Sequence, residues 1–224
     1  MDWPAIALSV ELALATLAVL VPAALFVARW LAQTRIRGKA WIEGLLALPL
    51  VLPPTVIGYY LLVAMGAQSP LGRWFEALFG HTLAFSFTGL VVASVVFNIP
   101  FAVQPMQRAF EAIPLEVHEA ARCCGLDRRQ ALWRIELPLA WPGILSAMVM
   151  TFAHTLGEFG VVLMVGGNIA GETRTVAISI YDSVQSFDHG AAGAMSLLLL
   201  AISLVTIAVS YGLAERLMRR RRAA

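Results

Sequence analysis

The sequence predicts an all-α integral membrane protein with five core transmembrane helices, because its composition and its apolar patterning both point to that fold. Of the 224 residues, 59% are hydrophobic and 13% are charged, whereas an ordinary soluble domain has about 25% charged residues. Five apolar stretches approach the roughly 20 residues that a helix needs to cross a bilayer. They lack the alternating polarity of barrel strands, so helices would satisfy their backbone groups in lipid. Residues 1–224 are expected to form a single transmembrane domain.

The boundaries of the five predicted spans follow from runs with few or no charged side chains. The first run comes after Asp2 and Glu11 instead of the basic start typical of a secretory signal, so it is expected to remain as a helix. The spans are Leu12–Val27, Leu45–Met65, Leu83–Val103, Ile144–Val165 and Ala191–Leu213.

A sixth apolar segment, at residues 172–188, has a weaker signal. Val176, Ile180 and Val184 recur at helical spacing, while Asp182 and other polar residues lie between them. This pattern predicts an amphipathic helix on or half inside the membrane surface. A short sixth span or a re-entrant helix remains the alternative.

The distribution of basic residues predicts the orientation. All but two of the 16 Lys and Arg residues follow the first, third or fifth span, and the exceptions are Arg73 and Arg174. Because basic residues are retained on the cytoplasmic side, the N-terminus is expected outside and the C-terminus inside. The arginines at 216 and 219–222 are interpreted as a topology anchor against anionic lipid and not as a nucleic-acid site.

Residues 108–139 form a charged cytoplasmic loop in this topology. Pro114 is expected to open a short helix that ends at Gly125. Asp127 and Gln130 resemble a capping box, which predicts a second short helix that runs to Pro138. The adjacent pair Cys123 and Cys124 is interpreted as small buried packing residues, because a reducing compartment and the lack of further ligands disfavour a disulfide or a metal site.

One pattern within this loop resembles a known family. Its residues are Glu119, Ala120, Ala121, Gly125, Ile135, Leu137 and Pro138. Their types and offsets are similar to the signature of the membrane subunits of binding-protein-dependent ABC importers. The resemblance implies a bacterial inner-membrane permease that works as a homodimer and receives its substrate from a periplasmic binding protein. It also implies that the loop is a coupling helix, which docks on a separate ATP-binding subunit.

Two further stretches narrow the implied substrate to an oxyanion. The segments LALPLVLPPTVIGYYLL (46–62) and TLGEFGVVLMVGGNIAGETRT (155–175) are similar to molybdate permeases. Sulfate, thiosulfate and tungstate permeases resemble the chain in the same places and remain alternatives.

No cofactor is expected on this chain, and ATP and Mg²⁺ are expected on the partner ATPase. The glycine pair Gly166 and Gly167 lacks the Lys and Ser or Thr that would hold phosphate and magnesium. An intramembrane enzyme is the alternative from another class. It would rely on His154 and Glu158 or on a Ser or Thr nucleophile, but it has no convincing second catalytic group and leaves the loop signature unexplained.

An oxyanion is a cluster of hydrogen-bond acceptors, so a path for it favours hydroxyls, amides and free N–H groups. The candidate path residues are Thr55, Ser94, Asn98, Thr151, His154 and Thr155. The stretch 52–58 carries Pro53, Pro54 and Gly58 and is interpreted either as a border of this path or as a packed kink.

Glu158 is predicted inside span four, where a carboxylate is costly. It is expected to bond protein groups and to keep its charge off the anion path. His154 lies four residues earlier, on the same face of the predicted helix, but two ligands do not define a metal site.

Overall fold

The computed structural model describes the backbone of residues 1–222 and the side chains of residues 1–209. The side chains of Arg216 and Arg219–Arg222, the predicted topology anchor, lie outside this described part. Within it the regular elements are helices: α1 Trp3–Gln33, α2 Lys39–Val51, α3 Pro54–Met65, α4 Pro70–Phe79, α5 Phe87–Glu111, α6 Leu115–Cys123, α7 Arg128–Gly157, α8 Gly160–Gly166, α9 Val176–Gln185 and α10 His189–Arg222. The predicted all-α membrane fold is confirmed.

Four helices in the described chain are long and apolar enough to cross a membrane: α1, α5, α7 and the part of α10 from His189 to Val209. They correspond to predicted spans one, three, four and five. Predicted span two is a pair of half-helices, α2 and α3, bent by 106° relative to each other. The break falls in the stretch 52–58, where Pro53 and Pro54 interrupt the backbone ladder as the sequence predicted.

Predicted span four was shifted along the chain. The helix α7 begins inside the charged loop at Arg128 and ends at Gly157. Residues 158–159 interrupt it before the short helix α8. The apolar run from Ile144 to Val165 is thus divided between two helices.

The helices α1, α5 and α7 form the centre of the molecule. Small residues line their contacts, and Ala28, Ala102, Ala140 and Ala147 are fully buried. Small side chains let helix backbones approach closely, which is how membrane helices gain packing energy without a hydrophobic driving force. Larger apolar residues, such as Met106, fill the space between these contacts.

A second group of helices packs on one side of α5. The half-helix α3 contacts α8, and the shared cluster includes Ile57, Phe75, Phe97 and Val161. Phe75 belongs to α4, an amphipathic helix that sequence patterning did not reveal. Ser69 caps the start of α4 by accepting a 2.8 Å hydrogen bond from the Gly72 amide.

One end of the bundle, here named the inner end, holds the charged loop together with the ends of α1, α2 and α5. There Lys39 Nζ lies 2.9 Å from Glu111 Oε1, which ties the start of α2 to the end of α5. The opposite end is the outer end, where the amide of Val176 donates to Ser9 Oγ at 2.8 Å. That bond holds α9 against the start of α1.

The helix α9 accounts for the predicted amphipathic segment at 172–188. It has ten residues, or roughly 15 Å of helix, about half of the apolar thickness of a bilayer. Its buried face includes Ile178 and Ser179, and Tyr181 is exposed. The segment is a short packed helix at the outer end, and a sixth full span is ruled out by its length.

Candidate coupling site and translocation path

The helix α6 and the turn after it are built by local capping. Leu126 N–H donates to Ala121 C=O at 3.1 Å and Gly125 N–H donates to Arg122 C=O at 2.9 Å. These are the two bonds of a Schellman motif, which needs a left-handed residue. Gly125 supplies it with φ 74°. The predicted helix stop at Gly125 is confirmed in its geometry.

The next helix starts at the predicted cap but does not stop where expected. Gln130 N–H donates to Asp127 Oδ1 at 2.7 Å, and Asp127 N–H donates to Gln130 Oε1 at 3.2 Å, which completes the capping box. An end at Pro138 was wrong, because α7 continues through it. A π-helical turn at Leu132–Glu136, closed by Leu137 N–H to Leu132 C=O, widens the ladder just before this proline.

The two faces of α6 differ in exposure. Glu119 and Ala120 are exposed, whereas Ala121 is only 4% exposed. The half-buried Val117 packs against the central apolar cluster on the same side as Ala121. The small size of Ala121 therefore serves the packing of α6 on its own chain, and Ala120 is left as the small outward-facing residue of the signature.

The remaining signature residues lie on α7, where Ile135 and Leu137 are half-buried and Pro138 is exposed. Cys123 and Cys124 are exposed free thiols. Their interpretation as buried packing residues was wrong, since they fall on the outward side of α6 and at its C-cap.

Glu136 is a residue that the sequence reasoning missed. It occupies the last position of the π turn and is 2% exposed. Arg29, near the inner end of α1, donates to both of its carboxylate oxygens, from Nε at 2.5 Å and from Nη2 at 3.0 Å. Gln33 Nε2 donates to Oε2 at 3.4 Å. On the α6 side, His118 Nδ1 lies 3.7 Å from Oε1.

The signal for Glu136 was weak in the sequence. An acid between Ile135 and Leu137 interrupts an otherwise apolar run, and a buried acid requires a partner. The partner Arg29 is 107 positions away, so a single sequence offers no means of pairing the two.

Five of the six predicted path residues lie on α5 and α7, which pack against each other, and the pair Asn98 and His154 connects the two helices. Ser94, Asn98, Thr151 and Thr155 are each at most 2% exposed. Asn98 Nδ2 donates to Ser94 C=O at 2.8 Å, and Asn98 Oδ1 lies 3.1 Å from His154 Nδ1. Thr155 Oγ1 donates to Thr151 C=O at 2.8 Å. In this conformation these five residues form a polar seam between α5 and α7 of the chain.

The seam has two features of its own. The Ser94 and Thr151 hydroxyls have no hydrogen-bond partner among the described residues. The His154 ring stacks on Phe101 with centroids 4.0 Å apart. The sixth candidate, Thr55, is not part of the seam, since it is exposed on the first turn of α3.

Glu158 caps the break between α7 and α8. It is the C-cap residue of α7, and its Oε1 accepts a 2.8 Å hydrogen bond from Val161 N–H at the start of α8. Its placement inside a continuous helix was wrong, and it therefore does not share a helical face with His154. No group of three or more potential metal ligands occurs in the described part of the chain.

Close backbone contacts hold the two broken segments together. A Cβ at Gly160 would lie 2.8 Å from Pro54 Cβ, and one at Gly58 would lie 2.7 Å from Met164 Cβ. Neither glycine has room for a side chain. The half-helix α3 and the short helix α8 thus form one packed unit.

The chain thus has a packed helix bundle, a broken second span and a capped loop at the inner end. Comparison with known protein families identifies the family to which it belongs. The family model described as "Binding-protein-dependent transport system inner membrane component" matches residues 20–223. The chain belongs to this family. It is a multi-pass membrane permease and a transport subunit.

Individual members of the family give the comparison more detail. The chain is 50% identical over 194 residues to the molybdenum transport system permease protein ModB of Azotobacter vinelandii, covering 85% of this chain and 84% of that protein. It is 37% identical to ModB of Haemophilus influenzae, covering 98% and 96%. The sulfate transport system permease protein CysT of Escherichia coli is 32% identical, covering 85% and 68%.

A solved structure shares the fold of this permease. A bacterial ABC transporter involved in the import of the acidic polysaccharide alginate has a chain that superposes with a TM-score of 0.77 at 17% identity, covering 95% of this chain and 78% of that one. At that identity the likeness concerns the fold alone.

Proposed function

We propose that this permease is the membrane subunit of an ATP-driven importer for molybdate in the bacterial inner membrane. The observation that carries the proposal is the 50% identity over 194 residues to a molybdenum permease. The path residues proposed for the anion are hydroxyl, amide and imidazole groups, which suit a tetrahedral acceptor. The carboxylate of Glu158 accepts a hydrogen bond from the Val161 amide, so Glu158 is not counted among the residues proposed to line the anion path.

The outward face of α6 is the proposed docking surface for an ATPase subunit, which binds ATP and Mg²⁺. Glu119 and Ala120 would enter a groove of that subunit, while Val117 and Ala121 hold the helix on its own chain. The Schellman turn and the capping box fix the orientation of the helix. Motion of the ATPase would then reach α7 directly through the continuous backbone from Arg128 to Gly157.

A homodimer completes the proposed pathway, with substrate delivered at the outer end by a periplasmic oxyanion-binding protein. The half-helix α2 has no buried residue within one protomer, and Trp41, Leu45 and Val51 are largely exposed. A second copy and the surrounding lipid would share the covering of this surface. The polar seam between α5 and α7 is closed within the protomer, so it would have to open for an anion to pass along it.

Uptake by the reconstituted complex tests the substrate. We expect ATP-dependent accumulation of molybdate in proteoliposomes that contain this permease, its ATPase and the binding protein, and we expect unlabelled molybdate to compete more strongly than sulfate. Equal competition by sulfate would favour a sulfate permease, and preferential uptake of tungstate would favour a tungstate permease. The 32% identity to a sulfate permease makes sulfate the second candidate.

Replacement of Gly125 tests the docking helix. Gly125→Val is expected to uncouple ATP hydrolysis from uptake, since a β-branched residue at φ 74° costs about 1–2 kcal/mol. A Cβ at this position meets nothing within 4 Å, so the effect comes from the backbone and not from a clash. Gly125→Asn is the matched control, because Asn tolerates this conformation. Uptake per ATP hydrolysed is the measurement, and normal coupling in the valine variant would contradict the proposed turn.

A further inference from the structure

Glu136 lies where α1, the docking helix α6 and the start of α7 come together. Arg29 holds both carboxylate oxygens from the α1 side, and His118 approaches Oε1 from the α6 side. The carboxylate belongs to the π turn that leads into α7. The helices α6 and α7 are neighbours in the chain, and Glu136 joins their loop to the distant helix α1.

Beside the apolar cluster that Val117 of α6 shares with Leu31 of α1, the surroundings of Glu136 are partly open. A cavity of about 970 Å³ opens between the inner end of α1 and the loop, and its wall includes Arg29, His118, Arg122 and Glu136. Apolar packing does not bridge the cavity itself, whereas the pair Arg29 and Glu136 lies in its wall. A bidentate guanidinium–carboxylate pair resists both shear and rotation because its two bonds are parallel.

The local helix geometry favours a mechanical role. π turns are rare in proteins, and those that occur are often found at functional sites. This π turn lies between the capping box at the start of α7 and the apolar part of that helix. A buried ion pair is weak evidence for stability, because an apolar pair of similar volume often stabilises as well. What the ion pair adds at this position is a directional link between helices.

We propose that Glu136 is a positioning residue that fixes the start of α7 to the inner end of α1 through Arg29, so that α1 moves together with the docking loop and α7 during transport. This inference rests on the proposed function, since it assumes that α6 receives motion from an ATPase. It assigns a separate task to Arg29 and His118, which lie outside the seven-residue signature. In this proposal the ATPase moves the outward face of α6, and Glu136 makes α1 follow that movement.

Coupling in the reconstituted complex is the first test. We expect the complex with Glu136→Gln to hydrolyse ATP. Its molybdate uptake per ATP should fall at least ~10-fold, which is within the usual range of coupling effects. The double variant Arg29→Met, Glu136→Met leaves no unpaired buried charge. It is expected to assemble like the original protein and still to couple poorly. Lys39→Met is the control, because it removes another ion pair of the inner end, to Glu111, that does not involve α6.

A distance measurement separates this inference from the proposed substrate. Spin labels would replace Trp30 on α1 and Arg122 on α6, which are both exposed, with Cys123 and Cys124 changed to serine. On trapping with ATP and vanadate, the distance between the labels is expected to stay constant in the otherwise unchanged protein and to shift in Glu136→Gln.

The outcomes are distinct. Normal coupling in every assembled Glu136 variant, or identical label distances with and without Glu136, would overturn the positioning role. Failure of the unsubstituted complex to take up any oxyanion would overturn the proposed function instead, and the label distances would still test the link between α1 and α6.

Discussion

Ala120→Trp is expected to abolish capture of the ATPase subunit by this permease and to reduce oxyanion uptake at least ~100-fold, which corresponds to about 2.7 kcal/mol of lost binding. Ala120 is exposed on the face of α6 that carries Glu119. A helix that enters a groove needs small side chains where the two surfaces come closest. An indole ring at this position would hold the partner away, and it would not disturb the inward contacts of Val117 and Ala121. Co-purification of a co-expressed ATPase with the tagged permease is the measurement.

A second exposed alanine at the inner end provides the control. Ala40 lies in the first turn of α2, outside the loop. Ala40→Trp is expected to capture the ATPase and transport normally, and both variants should elute as the unsubstituted protein does in size-exclusion chromatography. Undiminished capture by Ala120→Trp would show that the ATPase docks elsewhere.

The sequence was sufficient for features that depend on local physics. Apolar run length predicted four of the spans, and capping chemistry predicted the turn around Gly125 and Asp127. Helix caps and turns depend on residues within about four positions of each other, so neighbouring residues in the sequence are enough to predict them.

The missed features depend on contacts between distant residues. Pro53 and Pro54 indicate a break in the second span, but its angle of 106° is set by how α3 packs on α8. Glu158 was placed inside a helix because apolar length outweighed the flanking Gly157 and Gly160, which favour an interruption.

The seam and Glu136 illustrate the same limit at the candidate site. Asn98 and His154 were selected for their chemistry, and the structure brings them together because α5 packs against α7. Whether such residues face a path or each other is a property of packing, which composition does not encode. The pairing of Arg29 with Glu136 is likewise created by the fold.

Gly58→Leu is expected to destabilise the permease by about 1–3 kcal/mol or more, the usual cost of forcing extra volume into a packed contact. Its Cβ would meet Met164 Cβ at 2.7 Å and Val161 Cα at 3.4 Å. Met164 Cβ is attached directly to the backbone of α8, so a change of rotamer cannot remove this contact and the helix itself has to shift. The substitution would therefore separate α3 from α8. We expect a lower melting temperature in detergent, at about 2–4 °C per kcal/mol, together with loss of uptake.

Gly44→Leu is the matched control in the adjoining half-helix. Gly44 lies within α2 and is exposed, and a Cβ added there would meet no other atom within 4 Å. The same change of residue type there adds volume without a clash and replaces a weak helix former with a strong one. We expect its melting temperature to match or exceed that of the unsubstituted protein. If the two leucine variants melted alike, the close contact between α3 and α8 would not hold the broken second span in place, and the 106° bend would need another cause.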